Sequence, residues 1–347
     1  MGNKLFGFNL SSSRNHSDTF ATSKKFVDQI ASKTIGRPLS SRAGPRKPIK
    51  VCFAMQEGQP SQTALRAAFH RAAHQVLERG NIFSDPLATR ILGADGLDAA
   101  VHRAQHDPSG RRLRLFIAVR TRFAEDSLTA SIEGGVRQVV VLGAGLDTYA
   151  YRASLPSSVR VFEVDHPATQ AWKRQRLAEV GISIPQHLTY APVDLERESL
   201  AEGLGSAGFD SAQPTFFTWL GVVPYLTPEA VFLTLGFIAR LPGGAQVVFD
   251  YSNPSHPTAD DADAAAARQS LAARVASLGE PLRCFFETDE LHAKLEGLGF
   301  TEIEDLGPEL ILERYFGMRR VSPRERAGHV LRAAARVNPC SGVSGHT

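Results

Sequence analysis

The pattern of apolar residues in the first third of the chain has a helical period. It is visible in TALRAAFHRAAHQVLERG from residue 63, in the Pro-started segment SDPLATRILG, and over residues 111–135. In that last segment five apolar residues fall along one helical side: Leu113, Phe116, Ile117, Val119 and Phe123. All of this precedes the first convincing strand, so we expect an N-terminal helical cap over residues 56–135.

Short apolar runs then alternate with helical segments. The runs are RQVVVLG, VRVFEVD, LTYAPVDL, TFFTWLGVV and AQVVFDYS. The first of them is a continuous apolar run, as is typical of a strand buried on both faces of a parallel sheet. Their alternation with helices predicts an α/β fold with a doubly wound, mostly parallel sheet over residues 136–320.

The end of the chain has a different pattern. FTEIEDL and ELILERYF are separated by Gly-Pro and predict a terminal β-hairpin. A C-terminal helix and tail are expected over residues 321–347. The alanine-rich stretch 260–279 predicts an amphipathic helix inserted over the sheet.

Charge divides the chain unevenly. Residues 1–50 hold ten of the 39 Lys and Arg residues and two of the 36 Asp and Glu residues. The remainder therefore has 29 basic and 34 acidic residues, an excess of five negative charges. Because the basic character belongs to one end, no nucleic-acid partner is expected for the folded body.

The basic segment 1–55 is polar, punctuated by proline and poor in apolar residues, so we expect a disordered, dispensable extension. Two alternatives are a transit peptide and a translation start at Met55. No run approaches 18 apolar residues, so no membrane span is expected. Three scattered cysteines form neither a disulfide framework nor a zinc motif, which favours a cytoplasmic location and no metal site.

Glycines and carboxylates follow successive predicted strands. Gly143 and Gly145 follow the first strand, Asp165 ends the second, and Asp194 follows the third. In an open α/β sheet, ligands bind beyond the carboxyl ends of the strands. Each residue alone has an ordinary explanation, a tight turn or a helix cap. Together they predict a nucleotide-like ligand.

The type of ligand follows from the glycine turn. A dinucleotide site prefers G-x-G-x-x-G, with a pyrophosphate at the following helix. Here Thr148 replaces the third glycine, and Asp147 brings a negative charge where a diphosphate would lie. Asp165, 22 positions after Gly143, suits ribose hydroxyls. A ligand with a cationic sulfonium and an amino-acid end fits better, and S-adenosyl-L-methionine is such a ligand.

The motifs VVVLGAGLDTYAYR, FEVDHP, PVDL and VPYLTPEAV, in this order, resemble the bacterial branch of the leucine carboxyl methyltransferase-like family. IFSDPLATRILG and AVRTRFAED are similar to its N-terminal motifs, and the resemblance runs from about Thr63 to Phe316. It implies a class I methyltransferase (Rossmann-like) fold and S-adenosyl-L-methionine-dependent methyl transfer.

The same resemblance assigns cofactor contacts residue by residue. Gly143 and Gly145 would take the methionine side of the cofactor and Asp165 the ribose. Asp194 and Leu195 would take the adenine.

At the other end of the cofactor, Arg120 would hold the carboxylate, with Arg71 as a second basic contact. The chain departs from the family at Leu220, where an acidic residue is common.

The acceptor is not identified by any motif, and its methylation on oxygen is expected at either a carboxylate or a hydroxyl. A carboxylate needs no general base, whereas a hydroxyl does, and no catalytic residue is assigned. His166 is expected to cap a helix or to contact solvent. His70, His74 and His102 lie in the cap region, where an acceptor could enter, and each is expected at the surface. Trp219 and Tyr225 are expected either in the acceptor pocket or in the core.

Two other functions stay open at this point. One is a nicotinamide-dependent oxidoreductase, which the missing third glycine and Asp194 argue against. The other is a catalytically silent module that binds the cofactor.

Overall fold

The computed structural model describes residues 61–107, 110–195, 197–254, 282–318 and 328–335. The predicted N-terminal extension, Met55 and the alanine-rich stretch 260–279 lie outside these ranges. All described residues belong to one structural unit.

Three helices precede the sheet: α1 (Gln62–Leu77), α2 (Pro86–His106) and α3 (Gly110–Glu133). Asp85 caps α2 by accepting a hydrogen bond from the Ala88 amide at 3.0 Å, with Pro86 in the first turn. Along α3, Ile117, Val119 and Phe123 are buried as the helical period predicts. Leu113 is exposed, so the expected apolar side begins one turn later.

The rest of the described chain alternates strands and helices. The strands are β1 (Gln138–Leu142), β2 (Arg160–Asp165), β3 (Leu188–Pro192), β4 (Thr215–Trp219), β5 (Ala245–Tyr251), β6 (Glu302–Leu306) and β7 (His329–Ala335). The helices between them are α4 (Tyr149–Arg152), α5 (Pro167–Glu179), α6 (Leu200–Ser206), α7 (Pro228–Ala239), α8 (Thr288–Leu298) and α9 (Pro308–Phe316). A 3-10 turn, Val223–Tyr225, lies between β4 and α7.

These seven strands form one sheet in the order β3-β2-β1-β4-β5-β7-β6. β1 pairs in parallel with both β2 and β4, and the parallel pairing continues outward to β3 and β5. The strand order reverses between β1 and β4, which makes this the switch point where a ligand binds in open sheets.

The predicted terminal hairpin is half right. FTEIEDL contains β6, but ELILERYF is helix α9, which starts at Pro308. β6 pairs antiparallel with β7 instead, and β7 lies between β5 and β6. The helix expected within 321–347 is therefore wrong over 329–335, where HVLRAAA is a strand.

Helices cover both faces of the sheet. One face packs against α6, α7 and α8, through residues such as Leu204, Leu235 and Leu295. The other face packs against α3, with Phe123 and Leu128 buried on it. None of the described helices is both long enough and apolar enough to cross a membrane.

Candidate functional site

The turn after β1 is held between the helical cap and the loop after β4. Gly143 has φ +61° and Gly145 has φ +45°, in the left-handed region that favours glycine. A Cβ on Gly143 would lie less than 3.0 Å from Val222 Cγ2, and one on Gly145 would lie 2.9 Å from Ala64 Cβ. The glycines therefore allow close approach by neighbouring protein as well as the turn itself.

Asp165 joins this turn to the end of β2. Its side chain is half-buried, and Oδ2 accepts a hydrogen bond from the Gly145 amide, while Oδ1 accepts one from the His166 amide at 2.6 Å. Burial raises the pKa of the Asp165 carboxyl, and the two amide donors oppose that rise. Each oxygen keeps a second lone pair, so the carboxylate is able to accept further hydroxyl donors.

His166 caps α5, since its Nδ1 accepts from the Ala168 amide at 3.2 Å. This confirms the helix-cap expectation for that histidine. Next to it, the end of β3 turns toward Asp165, because the Val193 amide donates to the Asp165 carbonyl at 2.9 Å.

Asp194 and Leu195 follow directly on that turn and are both half-buried. The Asp194 amide donates to Glu198 Oε2 at 2.7 Å, and its carboxylate lies 3.7 Å from Arg197 Nε on the exposed side. Leu195 packs against the core. The two residues therefore extend the line of predicted contacts along the carboxyl edge.

Arg120 lies on the other side of β1, where β4 and β5 end. Its Nη1 donates to Asp250 Oδ2 at 2.7 Å, and Asp250 Oδ1 accepts from the Gly221 amide at 2.6 Å. Arg120 is 8% exposed, and its Nε has no hydrogen-bond partner in the described part of the chain. A buried guanidinium with a spare donor suits a ligand carboxylate. Sequence reasoning missed Asp250, whose signal is an acid at the end of an apolar run.

Arg71 supports the glycine turn. It donates from Nη2 to the Leu146 carbonyl, and its Nε lies 3.1 Å from Asp85 Oδ2. Thr148 Oγ1 donates to Asp85 Oδ1 at 2.8 Å. Arg71, the predicted second basic contact, is therefore bound to protein groups and links the helical cap to the glycine turn.

The cap also concentrates positive charge beside Arg120. Burial, and then the charges of Arg66, Arg114, Arg120 and Arg103 in that order, lower the pKa of His70 to about 4. Arg114 donates to Glu78 Oε1 at 2.7 Å and keeps Nη1 without a hydrogen-bond partner among the described residues.

The other cap histidines differ in exposure. His74 is fully buried, with Nδ1 3.2 Å from Glu78 Oε2, so its expected surface position is wrong. His102 is exposed and stacks on His106, as expected of a surface histidine.

Of the two aromatic residues near β4, one lies in the core and the other in the following loop. Trp219 has no exposed surface and packs in the core, so it does not line a pocket. Tyr225 is half-buried at the end of the 3-10 turn that Pro224 helps to form. Leu220, at the position that is often acidic in the family, packs against the core on the α3 face.

Five of the six predicted contacts thus lie at or just after the carboxyl ends of β1, β2 and β3, and Arg120 pairs with Asp250 on β5, on the other side of the switch point. Within the described ranges, no group of three or more potential ligands could hold a metal ion.

Comparison with known proteins agrees with this arrangement. Residues 64–239 match the leucine carboxyl methyltransferase family. YktD of Bacillus subtilis (strain 168), provisionally named an S-adenosyl-L-methionine-dependent methyltransferase, is 30% identical over 292 residues, 77% of this chain and 94% of that protein. A Streptomyces coelicolor protein with the same provisional name is 40% identical over 190 residues, 52% of this chain and 66% of that protein.

A solved structure shares the fold. It is a provisionally named methyltransferase from Thermobifida fusca YX, with a TM-score of 0.51 and 18% identity. The match covers 80% of this chain and 96% of that one. The sequence similarity decides against the nicotinamide-dependent alternative and the silent module. The chain belongs to the leucine carboxyl methyltransferase family and is an S-adenosyl-L-methionine-dependent methyltransferase.

Proposed function

We propose that the enzyme methylates an oxygen of a carboxylate on its acceptor. The observation that carries this proposal is Arg114, which is 3% exposed and, although paired with Glu78 at 2.7 Å, keeps Nη1 without a hydrogen-bond partner among the described residues. The helical cap also carries Arg66, Arg103 and Arg120, whose charges, after burial, act with that of Arg114 to lower the pKa of His70. Buried cations with spare donors favour an anionic ligand.

The proposed cofactor contacts are those expected from the family. Asp165 would accept the ribose hydroxyls on its remaining lone pairs, and Asp194 with Leu195 would take the adenine. The Gly143–Gly145 turn would face the methionine side. The Arg120 Nε would donate to the cofactor carboxylate, which gives its unpartnered nitrogen an acceptor. The bound cofactor supplies a methyl group on a positively charged sulfur.

The acceptor chemistry follows from the state of His70. With a pKa of about 4 it is a weak base, and the best general bases have a pKa near the working pH. A hydroxyl acceptor would gain little from it. A carboxylate arrives ionised and requires no base, so the residues of the site need only orient it and exclude water.

The test exploits the different stability of the two products. The enzyme is incubated with S-adenosyl-L-methionine labelled in the methyl group and with cell extract, and the labelled fraction is treated with mild alkali. Methyl esters release volatile labelled methanol, whereas methyl ethers keep the label. Label that resists alkali would overturn the carboxylate proposal.

A matched pair of variants ties the result to the arginines. Arg103→Gln removes one charge near His70 and should reduce the alkali-labile product at low acceptor concentration. Arg122→Gln removes a charge on α3 that is half-exposed and paired with Asp126 at 2.7 Å, and it should leave the product unchanged. Equal effects of the two variants would argue against an anionic acceptor near His70.

A further inference from the structure

The guanidinium of Arg120 is held at one nitrogen only. Nη1 donates to Asp250 Oδ2 at 2.7 Å, and this is the one hydrogen bond that Arg120 makes within the described ranges. Nε is buried and has no hydrogen-bond partner there. In an arginine, Nε and Nη2 form an edge that matches the two oxygens of a carboxylate. Asp250 therefore contacts the nitrogen that is not part of this edge.

Arg114, on the same helix α3, shows the other arrangement. Its Nε donates to Glu78 Oε2 at 2.9 Å, and its Nη2 donates to Glu78 Oε1 at 2.7 Å. A protein carboxylate thus occupies the whole Nε–Nη2 edge of Arg114. Both arginines are buried, so the different use of this edge follows from where the partner carboxylate lies.

Asp250 is itself fixed in a position away from the edge of Arg120. Its side chain is 4% exposed, and Oδ1 accepts a hydrogen bond from the Gly221 amide at 2.6 Å. A rotation that brought both Asp250 oxygens to Nε and Nη2 would break this hydrogen bond. Breaking a largely buried hydrogen bond is costly, so the pair keeps its single contact at Nη1.

The backbone at Gly221 borders the unused edge. Gly221 has φ +73°, in the left-handed region, and a Cβ there would lie 2.5 Å from Arg120 Nη2 and 3.1 Å from its Cζ. Any side chain at this position would overlap the guanidinium beside Nη2. Glycine therefore keeps the space beside the edge open.

A structural role alone does not account for this geometry. A buried ion pair stabilises a protein only when its geometry is good and its remaining hydrogen-bonding groups are satisfied. Here the arginine uses a single donor, and the buried Nε is left unpaired by the described residues. A buried donor without an acceptor is unfavourable, which a ligand carboxylate on the edge would relieve.

We propose that Asp250 and Gly221 are positioning residues for the cofactor, because they hold Arg120 by Nη1 and leave its Nε–Nη2 edge for the cofactor carboxylate. This rests on the proposed contact between Arg120 and that carboxylate. Asp250 and Gly221 act only through Arg120. The effect of replacing either one should therefore vanish when the ligand has no carboxylate.

The experiment compares two ligands by calorimetry. S-adenosylhomocysteine carries the amino-acid end, whereas methylthioadenosine keeps the adenosine and the sulfur without it. Asp250→Asn removes one of two acceptor oxygens at constant size, so Arg120 or the Gly221 amide loses its partner. The affinity for S-adenosylhomocysteine should fall about tenfold, as for a lost hydrogen bond to a charged group, and that for methylthioadenosine should not change. Asp126→Asn, at an exposed partner of Arg122 on α3, is the control that should change neither affinity.

A double variant tests whether Asp250 acts through Arg120. Arg120→Met should lower the affinity for S-adenosylhomocysteine about tenfold and leave that for methylthioadenosine unchanged. Arg120→Met/Asp250→Asn leaves neither charge of the pair, and its affinity for S-adenosylhomocysteine should equal that of Arg120→Met. A further loss in the double variant would show that Asp250 acts independently of Arg120, which contradicts the proposal.

Gly221→Ala tests the open edge without removing a charge. The added Cβ should displace the guanidinium and weaken only the binding of S-adenosylhomocysteine. Gly181→Ala is the control for backbone strain, since Gly181 has φ +66° and a Cβ there would meet nothing within 4 Å. If Asp250→Asn does not fold, Gly221→Ala decides, because an equal loss for both ligands would contradict an edge reserved on Arg120.

The remaining outcomes separate this proposal from the proposed function. If Asp250→Asn or Gly221→Ala, once folded, weakens both ligands equally or neither of them, the positioning role is wrong. If Arg120→Met keeps the wild-type affinity for S-adenosylhomocysteine, the proposed contact of Arg120 with the cofactor is wrong. A selective loss in Arg120→Met, with none in Asp250→Asn and Gly221→Ala, overturns only the positioning role.

Discussion

Gly143→Ala should destabilise the folded protein in two ways, through backbone strain and through steric overlap. A second glycine of the chain allows the two contributions to be measured separately. Gly143 has φ +61°, and a Cβ there would lie less than 3.0 Å from Val222 Cγ2. Gly181, at the end of α5, has φ +66°, and a Cβ there would meet nothing within 4 Å. Alanine at either position has the backbone strain of the left-handed region, but only alanine at 143 also overlaps a neighbour.

The two contributions are of similar size. Left-handed backbone at a residue with a Cβ costs about 1–2 kcal/mol, which should be the whole loss in Gly181→Ala. Overlap in a packed region typically costs a further 1–3 kcal/mol or so, because side chains and backbone must shift. Gly143→Ala should therefore lower the free energy of unfolding by about 2–5 kcal/mol, with the excess over Gly181→Ala reporting the overlap.

Urea denaturation of both variants measures the difference directly. A third variant, Gly143→Ala/Val222→Ala, removes the overlapping methyl groups, so its loss should be smaller than the sum of the two single losses. Because Val222 would be pushed away from the glycine turn, Gly143→Ala should also bind S-adenosylhomocysteine more weakly than Gly181→Ala does. Equal destabilisation in Gly143→Ala and Gly181→Ala would refute the account of close packing at this turn.

Three further predictions concern the charges around the site. Asp250→Ala leaves the buried Arg120 without its partner carboxylate. The free energy of unfolding measured in urea should therefore fall by about 3–5 kcal/mol. A loss below about 1 kcal/mol would contradict a buried ion pair. Arg71→Met removes the guanidinium that contacts the Leu146 carbonyl and Asp85, so the affinity for S-adenosylhomocysteine in calorimetry should fall. Arg111→Met, at an exposed arginine 3.9 Å from Glu78, should leave that affinity unchanged, and equal affinities in the two variants would count against the role of Arg71. His70 has its pKa lowered to about 4, so the folded state excludes a proton that the unfolded state binds, and stability should decline as the pH falls from about 6.5 to about 4. In His70→Gln that decline, followed by thermal unfolding, should be shallower, and an unchanged slope would show that His70 is not the group responsible.

The sequence predicts the parallel half of the sheet well because mostly apolar segments alternate regularly with helical ones. Each of β1 to β5 falls within one of the five predicted strand segments, and Pro86 and Pro228 correctly predict the starts of α2 and α7. The antiparallel half has no such signature. HVLRAAA resembles a helix by composition, but pairing with β5 on one side and β6 on the other makes it a strand. That pairing depends on residues far away in the chain, which local propensity does not contain.

The same limit applies to the site. The glycines and carboxylates at strand ends are recognisable because the carboxyl edge collects ligand contacts in any open sheet. The sequence does not show which partner each charged residue pairs with. Arg120 is paired with Asp250, 130 positions away, and Arg71 is directed at Asp85 and Leu146. In the sequence, Lys173 is one more charged residue on an amphipathic helix. Only the fold shows that it is buried against Glu163.

The interior position of β7 has a consequence for how the protein is made. Residues 329–335 lie between β5 and β6, so β6 has no strand partner in the described sheet until these residues leave the ribosome. During translation β5 presents an unpaired edge, which is open to pairing with other chains. We expect a nascent chain stalled before residue 328 to require a chaperone, although every residue of the proposed cofactor site has by then been synthesised.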